Sequence, residues 1–252
     1  MSLSLQTDIP IAQPPWTGLG KRLESAVRKA LFDFQLVHGV DKLAVALSGG
    51  KDSLTLLFLL KAISGRGFPP FDLYAIHVTG AFSCGSGVST KYLEGICSQL
   101  GVPLLIREAN QQLESLECYS CSRERRRLLF EAAKSVGVNT VAFGHHRDDN
   151  AQTLLMNLLH KGEFAGNLPK VPMHDYGITI IRPLIYLAES DIRTFAEQYH
   201  FKRIMCRCPV GQHSMRRRVD ELLKEIEMLY PEARSNIARA GLMFGSDKAL
   251  RK

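Results

Sequence analysis

Residues 44–47 of this 252-residue chain, Ala-Val-Ala-Leu, run directly into Ser48-Gly49-Gly50-Lys51-Asp52-Ser53, and residues 54–63 leave as an amphipathic segment. That order is buried strand, anion-binding turn, helix. Adjacent glycines let the backbone approach an anion and adopt angles that other residues resist. Ser48 and Ser53 add hydroxyls and Lys51 a positive charge, while the helix start adds free N–H groups and the positive end of its dipole. The loop is not the common triphosphate pattern, which needs four residues between its first Gly and a Gly-Lys pair.

The rest of the chain alternates in the same way. Helices are expected over 18–38, 54–63, 89–100, 122–136, 149–159, 190–199, 219–229 and 232–243. Strands are expected over 40–47, 71–78, 103–107, 140–143 and 178–181. Such alternation implies an α/β, doubly wound, mostly parallel sheet covered on both faces. Ligands of these sheets sit beyond the carboxyl ends of the strands. Three regions are expected: an irregular lead-in over 1–18 containing Pro10, Pro14 and Pro15, a main domain over 19–200, and a cysteine- and arginine-rich C-terminal part over 201–252.

A second motif falls at another strand end: Gly144-His145-His146-Arg147-Asp148-Asp149-Asn150, followed by Ala151-Gln152-Thr153. Two adjacent carboxylates there could hold Mg²⁺ and neutralise phosphates. The plainer alternative is an acidic N-cap for the next helix. Adjacent histidines rarely share a metal, because their rings point apart.

The six cysteines are Cys84, Cys97, Cys118, Cys121, Cys206 and Cys208. Cys118-Tyr119-Ser120-Cys121 has the spacing of metal and iron–sulfur ligands. With Cys206 and Cys208 it could form a zinc site. Three of these thiolates could instead hold an iron–sulfur cluster with one iron open, and a redox pair is the third reading. Cys97 reads as a small buried hydrophobe, and Cys84 as a loop thiol.

A net charge of +7 fits a polyanionic partner without establishing one. The distribution says more: Arg123, Arg125, Arg126 and Arg127 form one basic cluster, and Lys202, Arg203, Arg207 and Arg216 to Arg218 another, each beside cysteines. No apolar stretch reaches the roughly 18 residues of a membrane span. Residues 1–15 lack the pattern of a secretion signal, so a cytoplasmic protein is expected.

Taken together, the loop at 48–53, the Cys118/Cys121 pair with Arg125-Arg126, the Gly144 motif, Ile181-Arg182-Pro183-Leu184 with Glu189, and the 206–218 stretch resemble the tRNA 2-thiocytidine synthetases. These lie within the pyrophosphate-loop ATPases, of adenine nucleotide alpha hydrolase-like fold. The resemblance covers residues 20–245. The terminal zinc-binding cysteine pairs of the 2-thiouridine thiolases are absent, which favours the thiocytidine branch. Residues 77–80, His-Val-Thr-Gly, depart from the Asn-Leu-Asp type sequence usual there.

The resemblance implies ATP, Mg²⁺ and a [4Fe–4S] cluster as cofactors. It implies tRNA as substrate, a persulfide or sulfide donor, a homodimer, and 2-thiocytidine at anticodon-loop position 32 as product. Cys118, Cys121 and Cys208 would hold the cluster, with Cys206 as the fallback for the third thiolate. Leu47 through Ser53, His77, Gly144 and Asp149 would bind the nucleotide. Lys51, Asp52, Arg125 and Asp149 would act in catalysis. A 2-thiouridine synthetase or a lysidine-type ligase is the nearest competing enzyme, and a zinc-stabilised RNA-binding protein is the competitor of another class.

Overall fold

The computed structural model describes residues 9–80, 90–110, 118–202 and 215–246. Their elements run α1 (Gly18–Asp33), β1 (Lys42–Ala46), α2 (Lys51–Ile63), β2 (Asp72–Thr79), α3 (Thr90–Leu100), β3 (Leu104–Glu108), α4 (Cys118–Ser135), β4 (Thr140–Ala142), α5 (Arg147–Lys161), β5 (Lys170–Met173), β6 (Ile178–Ile181), α6 (Glu189–Gln198), α7 (Met215–Leu229) and α8 (Ala233–Phe244).

The six strands form one sheet in the order β3-β2-β1-β4-β6-β5. All neighbours are parallel except β5, which runs antiparallel to β6. β1 is the pivot, with Ala46 beside Ile76 on β2 and Val45 beside Ala142 on β4. Chain order reverses across β1, so the β1 and β4 carboxyl ends flank the crevice where such sheets bind ligands.

Burial explains the strand sequences. Leu43, Ala44 and Val45 are fully buried because helices cover both sides of β1. On one side Leu23 of α1, Phe58 of α2, Ile96 of α3 and Phe195 of α6 share a continuous core. On the other, Leu129, Phe130 and Ala133 of α4 pack against Ile76, Val141 and Ile180. The irregular segment before α1 joins the first core, where Trp16 meets Phe195 edge to face at 5.8 Å. Cys97 is buried there too, and burial pushes its thiol up to about 12. It is the small hydrophobe expected.

Several element boundaries differ from expectation: α1 ends at Asp33 rather than residue 38, and α7 begins at Met215 rather than 219. α2 begins at Lys51 rather than residue 54, and α5 at Arg147 rather than 149, so both motif loops run straight into helix. α4 begins at Cys118, which places the cysteine pair inside a first helical turn. The strand β5 was not expected. It is an edge strand holding Pro172, and proline is confined to such positions because it cannot donate to a ladder.

α7 and α8 pack on α5 through a small separate cluster of Ala151, Val219, Leu223 and Ala238. Leu223 is fully buried within it. Leu223→Ala should cost about 2–5 kcal/mol of unfolding free energy. Urea denaturation followed by circular dichroism measures this, and a loss under about 1 kcal/mol would mean that α7 contributes little to the folded unit.

Candidate active site

The two motif loops meet at the pivot. Gly49 has φ of +84°, a left-handed conformation that side chains resist, and it turns β1 into α2. The Gly50 N–H donates to Ser48 Oγ at 3.3 Å, Ser53 Oγ donates to the Gly50 carbonyl at 3.0 Å, and the two serine hydroxyls lie 3.1 Å apart. Gly50 caps α2 without a side chain, so the first-turn amides keep their capacity for an anion. A Cβ on Gly144 would sit 3.1 Å from the backbone of Asp52 and Ser53, so glycine is what lets β4 reach the loop.

A cleft of about 510 Å³ opens above this junction, a volume within the range of ligand pockets. Leu47, Ser48, Asp52, Ser53, Gly144 and Asp149 line it in the middle. Ile76, Val78 and Leu129 form an apolar end suited to a nucleobase, and Arg125, Arg126 and Arg216 form basic walls. Arg125 donates to the Val78 carbonyl at 3.3 Å. Arg216 comes from the first turn of α7 and lies 3.9 Å from Asp149.

Lys51 faces the other way, into a second cleft between α2 and α6 that Gly50 and Asp52 also line. Its Nζ is 3.0 Å from Asp52 Oδ1 and 3.1 Å from Glu189 Oε1. Burial opposes its charge, but the two carboxylates outweigh that and hold its pKa above the ordinary lysine value. Glu189 had no assigned role in the sequence. Its position comes from Asp148, whose carboxylate accepts the Glu189 N–H at the start of α6. No local spacing could reveal a contact across 138 positions, from 51 to 189.

The adjacent carboxylates therefore part company. Asp148 is buried, facing α6, Arg147 and Arg234. Asp149 faces the cleft, so only it meets the metal expectation, while His146 rather than an aspartate caps α5. The His146 N–H donates to Asp149 Oδ2 and the Asp149 N–H to His146 Nδ1, a reciprocal capping box. His146 Nε2 lies 3.7 Å from Asp52 and 3.5 Å from Asp149. Burial would raise Asp149, yet His146, His145 and Arg216 outweigh it and hold the carboxyl below its usual range.

Asp52 and Asp149 thus serve one spot, and no further acidic, histidine or cysteine ligand converges on them among the described residues. Two carboxylates are a set that suits Mg²⁺ when phosphate oxygens complete its shell.

His77 is placed differently from the expectation that it touches the nucleotide. It is fully buried, and its Nδ1 donates to the Leu47 carbonyl at 2.8 Å. Strand residues alternate faces, so Ile76 and Val78 reach the cleft while His77 points beneath the loop. Its role here is to hold the backbone on which the loop begins.

Cys118 and Cys121 lie in the first turn of α4. Ser122, Arg125 and Arg126, the next residues along, line the cleft. Two cysteines at this spacing, followed directly by cleft residues, are a soft donor set that fits an iron–sulfur cluster. The third thiolate expected, Cys208, and its fallback Cys206 lie outside the described residues, as do Cys84 and much of the second basic cluster.

A strand–loop–helix anion cradle at the pivot of this sheet defines a pyrophosphate-loop nucleotide-binding protein. The match to known families agrees: residues 21–205 fit the PP-loop domain. The tRNA-cytidine(32) 2-sulfurtransferase of Anaeromyxobacter dehalogenans (strain 2CP-C) is 37% identical over 231 residues, 88% of this chain and 79% of that protein. That of Geobacter sulfurreducens is 35% identical over 228 residues, 87% of this chain and 88% of the relative. Among solved structures, the U34-tRNA thiolase NcsA from Methanococcus maripaludis with its [4Fe-4S] cluster matches with a TM-score of 0.72 and 26% identity, over 88% of this chain and 78% of that one. The chain belongs to the PP-loop family and, within it, to the tRNA-cytidine(32) 2-sulfurtransferase family.

Two outcomes follow from the site. Gly144→Ala should weaken ATP binding about tenfold or more, since its Cβ pushes on the loop backbone; calorimetric titration with ATP measures this, and unchanged affinity would detach Gly144 from the cradle. His145 has its pKa lowered to about 4, by burial first and then by Arg182, from the ordinary histidine value of 6.5. The unfolded chain therefore binds the extra proton between those values, and stability should fall as pH drops from about 6.5 to about 4. Urea unfolding across that window should show a slope that His145→Gln removes, and an equal slope in the variant would contradict the assignment.

Proposed function

We propose that this chain is an ATP-dependent tRNA sulfurtransferase that converts a cytidine to 2-thiocytidine, at position 32 as its relatives' name states. The observation that carries this reading is that the helix opened by Cys118 and Cys121 lines a nucleotide cleft with its next turn, through Ser122, Arg125 and Arg126.

A pyrimidine C2 carbonyl is a poor electrophile whose oxygen cannot leave unaided. In the first step the cytidine O2 attacks the ATP α-phosphorus, an O2–P bond forms, and the bond to the bridging oxygen breaks to release pyrophosphate. In the second, hydrosulfide attacks C2, the C2–O bond breaks and the S–H proton is released, so AMP leaves with the original oxygen; sulfur delivered from a persulfide reaches this level through a thiol reductant that cleaves its S–S bond.

The residues divide this work. The loop from Ser48 to Ser53 cradles the β- and γ-phosphates with its amides and hydroxyls. Lys51 exchanges part of its pairing with Asp52 and Glu189 for the charge that grows on pyrophosphate. Asp52 and Asp149 would hold Mg²⁺, which offsets the same charge. Leu47 and Gly144 shape the cleft, and Arg125 meets the adenylate beside Val78. Cys118, Cys121 and Cys208 would hold a [4Fe–4S] cluster, which when bound supplies an open iron for the incoming sulfur. The arginine clusters would meet the RNA backbone, a salt-sensitive contact.

The finer assignments belong to the same reading: a persulfide or sulfide donor, a homodimer and a cytoplasmic setting. No helix among the described residues is long and apolar enough to cross a membrane. A division into a lead-in (1–18), an ATPase domain (19–200) and a C-terminal part (201–252) is supported by the separate cluster beneath α7.

Protein purified without oxygen should contain iron and acid-labile sulfide, and Cys118→Ser should lose both together with tRNA thiolation while binding ATP within about twofold of wild type. Zinc without sulfide, or normal thiolation by the variant, would sink this reading and favour a zinc-stabilised RNA-binding module.

A further inference from the structure

Beside the nucleotide cleft, over β4 and β6, lies a smaller pocket of about 220 Å³. It shares Arg126, Phe143 and His145 with that cleft. We infer that this pocket receives the target cytosine, and that Arg126, Arg182 and Asn167 read it as cytosine rather than uracil. The inference rests on the proposed thiolation and names the groups that choose its substrate.

Place along the sheet comes first. The apolar end of the nucleotide cleft lies over β2, the phosphate loop over β1, and His145 follows β4. The next space in that order is this pocket, on the side of the phosphates away from the apolar end. A base seated there is separated from the nucleotide cleft only by Arg126, Phe143 and His145, which line both spaces.

Size and walls suit one base. At roughly 30 Å³ per water the space holds about seven non-hydrogen atoms, close to a pyrimidine ring and well short of a whole nucleotide. The rings of Phe143 and His145 stack on each other, 10° apart with centroids at 5.8 Å, and give the pocket an aromatic side. Val171 and Met173 of β5 supply apolar surface.

The polar groups have one pattern. Arg182 donates from Nε to His145 Nδ1 at 3.4 Å and from Nη1 to the Leu168 carbonyl. Both acceptors are neutral, and nearby Asp149 offsets its charge without forming an ion pair with it among the described residues. Burial and nearby Arg126 push its pKa down to about 10. Among the described residues, its Nη2 and the Arg126 guanidinium keep their donors for a ligand. Asn167 is oriented by its Nδ2, which donates to the Asp149 carbonyl at 3.2 Å and to Thr153 Oγ1 at 3.1 Å. That leaves Oδ1 as an acceptor.

Donors on one side and an acceptor on the other match cytosine, whose O2 and N3 accept and whose N4 amino group donates. Uracil presents an N3–H to the arginines and an O4 to Asn167, so both ends clash. A pocket that hydrogen-bonds its substrate rejects a mismatched analogue by leaving its own polar groups unpaired.

The test uses wild-type enzyme and variants prepared without oxygen, with tRNA transcripts carrying cytidine or uridine at the target position. Nucleoside mass spectrometry gives kcat/KM for each, and calorimetry gives ATP affinity. Arg182→Lys keeps the charge but loses the fork, and the cytidine-over-uridine ratio should fall about tenfold or more, with ATP affinity within about twofold. Met173→Trp fills the pocket, and cytidine thiolation should fall about a hundredfold at unchanged ATP affinity. An unchanged ratio in the first variant, or near-normal thiolation by the second, overturns the pocket and leaves the proposed activity standing. An equal fall for both bases marks Arg182 as a phosphate contact and also overturns it. A wild type that thiolates neither base overturns the activity itself, and the pocket with it.

Discussion

The close approach of two backbones holds this site together. Gly144 at the end of β4 comes so near the first turn of α2 that a single added carbon would meet Asp52 and Ser53 at 3.1 Å. That contact exists because β1 and β4 are parallel neighbours at the place where strand order reverses. It brings a loop of amides and hydroxyls and two separated aspartates around one cleft, with Lys51 on the loop's other side. Move the β4 end outward and the carboxylate of Asp149 no longer shares His146 with Asp52.

Charge is distributed around that contact with little to spare. Lys51 is held by two carboxylates on the α6 side, while the arginines on the cleft side have few acidic partners. A site so arranged is completed by a polyanion, which supplies negative charge to Arg125 on the cleft wall. Asp148 contributes at a distance: its carboxylate holds the start of α6, and with it Glu189, against the loop. Arg216 does the same from α7, so the C-terminal helices complete a wall of the cleft as well as covering α5.

Much of this was legible in residue order. An apolar run, a Gly-Gly turn and an amphipathic segment prescribe strand, cradle and helix by local physics alone, and the alternation that follows prescribes the parallel sheet. Helix starts were read late by two or three residues, because Lys51-Asp52 and Arg147-Asp148 look like loop while their backbones already turn. β5 escaped because four residues with a proline carry no period. Asp148 and Asp149 looked like a pair in sequence, yet successive helix residues point about 100° apart, so only one reaches the cleft. His77 was expected to touch the nucleotide from the resemblance at residues 77–80, and strand alternation turns it to the other face. Glu189 and the Arg182–Asn167 pocket depend on contacts between distant segments, which spacing does not encode.

The chemistry and its substrate meet in a single measurement: mass spectrometry of nucleosides from total tRNA of cells with and without this gene. The account predicts selective loss of 2-thiocytidine in cells lacking it, with 2-thiouridine species unchanged. Persistence of 2-thiocytidine, whether or not a thiouridine disappears, would contradict it.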